Sequence, residues 1–308
     1  MMVSRRALLG AAAAAGASVG CQPALAEPGV GEVTLKHPDG RQTDYRIVSP
    51  GRGGVWPVVL FSHGANSSNR DYDLLWRPWA ARGYVVIGPN HIDTGPVAGQ
   101  RKVGQGALWK ARLADTALPS SQRGAFDELA KGAGASIDWS AVCAAGHSFG
   151  AVVAQALAGA KLFDPGDHSP SDARLAAVSA CMTFSPPGPL PGFIPPDAWA
   201  TVTTPSLLQT GDADVLPGFV NDWRLRLTGF SGAPDRWSIV ARGVDHYFGG
   251  LICRRKPEAA ADLPALTETA ALSDDFLDAY VRRGAKALQA LRSRAERGDD
   301  GVLTFAAA

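Results

Sequence analysis

Gly146-His147-Ser148-Phe149-Gly150 decides the fold of this chain. The pattern is G-x-S-x-G, which lifts a serine hydroxyl to the tip of a sharp strand-to-helix turn. Its flanks suit that turn. Val142-Cys143-Ala144-Ala145 reads as a short buried strand, and Ala151–Ala160 (AVVAQALAGA) as an apolar, alanine-rich helix. The tip residue of such a turn is held in a strained backbone conformation. Side chains at Gly146 and Gly150 would collide with the neighbouring strand and helix, so both positions must be small.

Outward from this turn, strands and helices alternate. Val33–Lys36 and Tyr45–Val48 flank His37-Pro38-Asp39-Gly40 and read as an opening hairpin. Pro57–Ser62 is a nearly continuous apolar run, as expected of a strand covered on both faces. Arg70–Arg82 reads as an amphipathic helix ending at Gly83, followed by a buried strand at Tyr84–Ile87. Helices are expected at Leu108–Ala117, Arg123–Lys131, Phe219–Leu227 and, as one long closing element, Asp274–Arg292. Further strands are expected at Leu175–Thr183, Ser206–Gln209 and Trp237–Ala241. This order implies a mostly parallel central sheet with helices on both faces. The Pro- and Gly-dense Ser185–Pro196 (SPPGPLPGFIPP) cannot be regular structure and reads as an ordered loop over the sheet.

The 308 residues are 46% hydrophobic and 19% charged, enough core for one large α/β domain spanning 27–308. A formal net charge of +1 offers no footprint for nucleic acid and no polybasic membrane patch. Of eight tryptophans, Trp56, Trp139 and Trp237 sit beside expected strands as core residues; Trp76, Trp79, Trp109, Trp199 and Trp223 fall in helices or loops, where burial is the expected role of each and lining of an apolar pocket by one or two is the alternative.

Residues 1–26 read as an export signal of the twin-arginine type. Ser4-Arg5-Arg6-Ala7-Leu8-Leu9 carries the paired arginines, and Ala24-Leu25-Ala26 offers an A-x-A cleavage site. The apolar stretch Ala7–Val19 has 13 residues, short of the roughly 20 that span a bilayer as a helix. A periplasmic or secreted location follows. Ser18-Val19-Gly20-Cys21 is a poor lipoprotein box, which leaves a lipid anchor at Cys21 as the lesser alternative. Beyond the signal, Cys143 reads as a buried strand residue, and Cys181 with Cys253 is the candidate disulfide pair. No C-x-x-C or Cys/His zinc spacing occurs, so no metal site and no cofactor are expected.

A serine hydroxyl attacks only when a base takes its proton, and an acid must hold that base in the right tautomer. On a parallel sheet with this turn the chain order is serine, then acid, then histidine. Only His168 and His246 follow Ser148. His168 lies 20 residues on, with no strand between, and leaves no room for an acid loop. His246 directly follows the last expected strand and is the candidate base. Thr210-Gly211-Asp212-Ala213-Asp214-Val215-Leu216-Pro217 offers two acids. Asp214 fits the spacing from Gly211 to Pro217, and Asp212 is the alternative, which the turn would more naturally use for a backbone hydrogen bond. Asp245 reads as a loop cap. Two backbone N–H groups must meet the developing oxyanion. Phe149, at the start of the elbow helix, is one candidate donor. Ala65, in Ser62-His63-Gly64-Ala65 after an early strand, is the other, with His63 bracing that loop.

Taken together, Val59–Gly64, Gly83-Tyr84-Val85-Val86 and Gly146–Gly150 resemble the α/β-hydrolases, in the branch of dienelactone hydrolase-like and platelet-activating-factor acetylhydrolase-like proteins, near polyester hydrolases and chlorophyllases. The resemblance spans Pro57 to Tyr247. It implies Ser148 as nucleophile, Asp214 as acid, His246 as base, Ala65 and Phe149 as oxyanion donors, and no large cap domain. Dienelactone hydrolases proper use cysteine, so serine here favours ordinary carboxylic esters. The expected substrate is a small-molecule or lipid-like ester. A thioesterase, amidase or peptidase with the same triad, or a non-catalytic binding protein on this scaffold, are the alternatives. Gly132-Ala133-Gly134-Ala135-Ser136 lacks the G-x-G-x-x-G pattern of a dinucleotide site. Acyl length and oligomeric state are not legible.

Overall fold

Alternate residues of two adjacent strands feed opposite cores. Along β5 (Ser136–His147), Cys143 and Ala145 join one apolar cluster, while Val142 and Ala144 join two others on the opposite face. β3 (Val55–Ser62) divides likewise, Val59 and Phe61 against Val58 and Leu60. Both strands are therefore interior, which explains their near-continuous apolar sequence. The computed structural model describes residues 27–95, 103–230, 235–253, 261–297 and 303–306. The expected export signal and Cys21 lie outside these residues.

The sheet has nine strands. The hairpin β1 (Gly29–Lys36) and β2 (Gln42–Ser49) forms one edge, with Gly40 at φ +85° in its turn. β2 pairs antiparallel with β4 (Val85–Asn90). From β4 the order runs in parallel through β3, β5, β8 (Val178–Phe184), β9 (Ser206–Gly211) and β10 (Arg236–Ala241). β11 (Leu303–Ala306) closes the other edge antiparallel to β10. A small hairpin, β6 (Leu162–Phe163) with β7 (Pro170–Ser171), stands apart. The fold is thus a mostly parallel α/β sheet, and among the described residues no large cap follows β8.

Helix α1 (Asp73–Ala81) covers one face with α5 (Leu263–Tyr280) and α6 (Ala285–Arg297), burying Trp76, Trp79, Phe276 and Leu277. Helices α2 (Gln105–Ser121), α3 (Arg123–Gly132) and α4 (Phe149–Leu157) cover the other, burying Trp109, Phe126 and Val153. Strand register brings one end of the sheet level. Ser62 pairs with Gly146, His147 with Phe184, Phe184 with Gln209, and Gly211 with Ala241. The loops leaving five parallel strands therefore open on a single edge, the carboxyl edge where open α/β sheets bind ligands.

Several expectations are corrected. The long closing helix Asp274–Arg292 is two helices. Arg283 sits at φ +56° and the Gly284 N–H reaches back to the Asp278 carbonyl at 3.0 Å, which closes the first helix in a left-handed turn before the second begins. Phe219–Leu227 is not a helix from its start: a tight Leu216–Val220 bridge comes first, and a 3-10 segment runs from Trp223 to Phe230. Trp56 and Trp139 are only partly buried. Cys181 and Cys253 form no disulfide, nor does Cys143. Cys181 packs beneath α4 while Cys253 packs in the cluster on the other face, so the sheet lies between them. No helix among the described residues is long and apolar enough to cross a membrane.

Candidate active site

Ser148 links β5 to α4 at φ +53° and ψ −117°, a conformation that strains any residue with a side chain. Its N–H is tied to the Phe184 carbonyl of β8 at 2.9 Å. The flanking glycines make the turn possible. A Cβ at Gly146 would lie 2.2 Å from the Gly150 carbonyl oxygen, and one at Gly150 would lie 1.9 Å from that of Ser62. The elbow thus wedges against both its own helix and β3.

The turn brings together residues far apart in the chain. His246, in the loop after β10, places Nε2 3.0 Å from Ser148 Oγ and Nδ1 2.8 Å from Asp214 Oδ1. With Nδ1–H donating to the carboxylate, the Nε2 lone pair is left for the serine proton. Burial pushes the His246 imidazole down, against the pull of Asp214 and with help from the Arg226 charge, so it is held below the usual histidine value. Burial alone would raise the Asp214 carboxyl; the His246 hydrogen bond and the charges of His246 and Arg226 outweigh it and hold Asp214 low. The two candidate acids separate cleanly. Asp212 accepts the Gly243 N–H on the surface, whereas Asp214 is fully buried against His246. Asp245 caps its own loop, accepting the N–H groups of Tyr247 at 2.9 Å and Gly249 at 2.8 Å. His168 is exposed and bonded to the Gly192 carbonyl at 2.8 Å.

Five supporting residues escaped the sequence reading. Arg226 is buried with Nη2 2.8 Å from Asp214 Oδ1, and its Nε donates to the Asp214 carbonyl at 2.9 Å. Thr210 adds a hydroxyl bond of 2.8 Å to Asp214 Oδ2. His147 donates Nε2–H to the carbonyl of His246 at 3.0 Å and accepts the Tyr72 hydroxyl at 2.9 Å, while Tyr72 accepts the Gly64 N–H at 2.9 Å. Arg112 reaches the loop that holds Ala65, donating to the His63 carbonyl at 2.7 Å. Arg226, Tyr72 and Arg112 are lone polar residues in different elements with no local pattern to announce them, and the motifs that contain His147 and Thr210 say nothing of these bonds.

Ser148 and His246 open on a cavity of about 310 Å³. Ala65 and Phe149, the residues of both candidate oxyanion donors, line it beside the serine. Its walls are apolar: Val152, Leu190, Phe193, Leu216 and Phe219 among them. Asn66 and Gln105 are neutral amides, and His246 is the only titratable base among the described lining residues. No tryptophan is among them; Trp109 stands one layer back, stacked on Phe149 at 6.2 Å. The Pro-rich loop after β8 supplies Pro187, Leu190 and Phe193 to the wall. Among the described residues, no cluster of three or more His, Cys, Asp or Glu is arranged to hold a metal.

Comparison with known proteins agrees with this architecture. A family model described as chlorophyllase matches residues 32–167. A chlorophyllase type 0 of Chenopodium album is 46% identical over 43 residues, 14% of this chain and 12% of that protein. A ferulic acid esterase from Streptomyces cinnamoneus superposes with a TM-score of 0.57 at 15% identity, over 86% of this chain and 93% of that one. A dienelactone hydrolase from Anabaena variabilis gives 0.53 at 18% identity, over 83% and 99%. One of two esterases from Rhizomucor miehei gives 0.54 at 14% identity, over 83% and 84%. At these identities the likeness is one of fold.

Proposed function

From the α/β-hydrolase fold that this chain shares with those proteins, we propose that it is a serine hydrolase cleaving carboxylic esters through an acyl-enzyme. One observation carries the reading. The Ser148 hydroxyl lies 3.0 Å from an imidazole whose other nitrogen is bonded to a buried carboxylate, at an apolar cavity lined by two candidate oxyanion donors. The names of the structural neighbours, an esterase and a lactone hydrolase among them, agree with it.

In this mechanism Ser148 Oγ attacks the ester carbonyl carbon as His246 Nε2 takes its proton. The carbonyl oxygen becomes an oxyanion facing the N–H groups of Ala65 and Phe149, the latter at the start of α4, where the helix dipole adds to the field. His246 then returns the proton to the departing alcohol. Water attacks the acyl-Ser148 ester by the same route in reverse, releasing the acid and restoring the serine. Asp214 stays ionised throughout and steadies the imidazolium that forms twice per cycle.

The cavity selects a neutral, apolar acyl group. It sits at the low end of the usual size range for small-molecule pockets, roughly 300–1,000 Å³, which suits a compact acid better than a long lipid chain. A series of p-nitrophenyl esters from two to sixteen carbons, beside a thioester and an anilide, tests the bond and the pocket together. Activity is expected on the shorter esters and lost in Ser148→Ala; a variant as active as the parent would overturn the assignment. We also propose that residues 1–26 export the protein, with cleavage after Ala26, which N-terminal sequencing of the exported chain checks.

A further inference from the structure

The peptide unit joining Gly64 to Ala65 is unusually loaded. Its carbonyl oxygen receives His63 Nδ1–H at 2.7 Å, Arg112 Nη2–H at 3.2 Å and the Ser67 N–H at 3.3 Å. A carbonyl oxygen has two lone pairs, so three donors exceed ordinary satisfaction. Two of the three are side chains committed to this place. His63 accepts the His91 N–H at Nε2, at 3.1 Å, which leaves its own proton on Nδ1, aimed at Gly64. Arg112 is fully buried and held in a fork by Asp93, at 3.0 Å and 2.7 Å, while Nη1 bonds the His63 carbonyl.

The partner of that carbonyl within the same peptide plane is the Ala65 N–H. In a trans peptide the two point in opposite directions. Fixing the Gly64 oxygen toward Arg112 and His63 therefore fixes the Ala65 N–H toward the opposite side, where Ala65 lines the cavity beside Ser148. Hydrogen bonds to a carbonyl also polarise its peptide, so the N–H becomes a stronger donor. Arg112 reaches the second donor as well: its guanidinium lies 4.6 Å from the ring centroid of Phe149.

We infer that Arg112 and His63 are positioning residues of the oxyanion hole, acting through the Gly64–Ala65 peptide to aim and strengthen the Ala65 N–H, with Arg112 also steadying Phe149. The inference rests on Ser148 being the nucleophile. Neither side chain touches substrate. Arg112→Lys keeps the charge and loses the planar fork. His63→Asn keeps an N–H donor near the place of Nδ1, and His63→Leu removes it.

The experiment counts active sites by fluorophosphonate titration and expresses kcat per titrated site. It also measures binding of a trifluoromethyl ketone, which forms an oxyanion on Ser148, and of an ether isostere of the substrate, which does not. Deleting an oxyanion donor outright costs about 10²–10³ in kcat, so weakening one should cost roughly tenfold. Arg112→Lys and His63→Leu are expected to lose that factor in kcat and in ketone affinity, with KM and ether binding within twofold. His63→Asn should recover most of the loss. Wild-type kcat per site and ketone affinity in a folded variant would overturn the inference, as would equal losses for ketone and ether. If Arg112→Lys does not fold, the two His63 variants decide it. A parent protein that the fluorophosphonate fails to label would instead sink the assignment of Ser148 itself.

Discussion

The Nη2 atom of Arg226 lies 2.8 Å from Oδ1 of Asp214, the same oxygen that accepts Nδ1–H of His246. Both members of this ion pair are fully buried, and Arg226 also binds the Ser185 carbonyl at 2.9 Å, so it ties the acid to the Pro-rich loop over the site. A cation so placed disfavours a second positive charge on His246, and its charge is among the causes that hold that imidazole low. In the proposed mechanism the imidazole must be neutral to accept the serine proton. Arg226→Gln should therefore raise the His246 pKa and move the acid limb of kcat/KM to higher pH, lowering activity most below neutrality. Stability should fall too, by about 3–5 kcal/mol, the usual cost of removing one partner of a buried pair. An acid limb that stays put or moves down would show that His246 does not feel this charge.

Tyr72 joins the loop after β3 to the loop after β10, the proposed oxyanion and base loops. Its hydroxyl accepts from Gly64 and donates to His147, which in turn donates to the backbone of His246. Tyr72→Phe leaves the Gly64 N–H and His147 Nδ1 without that partner, in a fully buried setting. Each orphaned group costs about 1–3 kcal/mol. Urea unfolding should show a lower midpoint at unchanged slope, together with a fall in kcat. A midpoint equal to that of the parent would mean that water or a local shift replaces the hydroxyl.

What the sequence reveals, and what it hides, divides along a physical line. The elbow was legible because Gly146, Ser148 and Gly150 fall within five residues, although the contacts that require the two glycines run to the elbow helix and to Ser62 of β3. Chain order then singled out His246, since the order of strands sets the order of loops along the carboxyl edge. Choosing Asp214 over Asp212 rested on spacing and on turn chemistry, and only the fold shows one buried against His246 and the other bonded to the Gly243 N–H on the surface. Arg112, Arg226, Tyr72 and His147 act across elements, so nothing near them in sequence marks them. The Cys181–Cys253 pairing failed for a related reason: composition counts thiols but does not say on which face of a strand each one points. The break at Arg283-Gly284 carried a local signal, a glycine where a helix can end, which the amphipathic periodicity on either side masked.

Acid should destabilise the fold before it titrates ordinary carboxylates. Burial is the largest cause pushing the imidazoles of His37, His63, His91, His147 and His246 down, so the native state keeps them neutral at pH values where the unfolded chain protonates them. The sign is fixed by proton count. Below about 6.5 the unfolded chain binds more protons at these sites, and stability falls with pH by up to ~1.4 kcal/mol per pH unit for each histidine that stays neutral. Asp274 opposes this: burial raises its carboxyl to about 7, so the native state takes up a proton that the unfolded chain does not. Asp115 and Asp275 are also pushed up by burial and act in the same sense. The histidines outnumber them. The melting temperature should drop between pH 7 and 5, and a flat or rising profile would mean that the buried carboxyls dominate.

Phe193 should set the depth of the acyl pocket. It stands edge-on to Trp109, with ring centroids 4.9 Å apart at 79°, and nearly perpendicular to Phe149, at 6.2 Å. Trp109 is fully buried and stacked on Phe149, so the aromatic wall behind the cavity is braced and Phe193 is its member on the Pro-rich loop. Phe193→Ala opens the cavity on that side without touching Ser148, His246 or Asp214. A short acyl group then loses apolar contact, while a longer one gains room. Each methylene newly buried is worth about 0.8 kcal/mol, close to fourfold in kcat/KM. Across p-nitrophenyl esters the variant should lose activity on the shortest chains and peak at a longer chain than the parent, with the pH profile unchanged. An identical chain-length profile in the two proteins would show that the acyl group does not lie against Phe193.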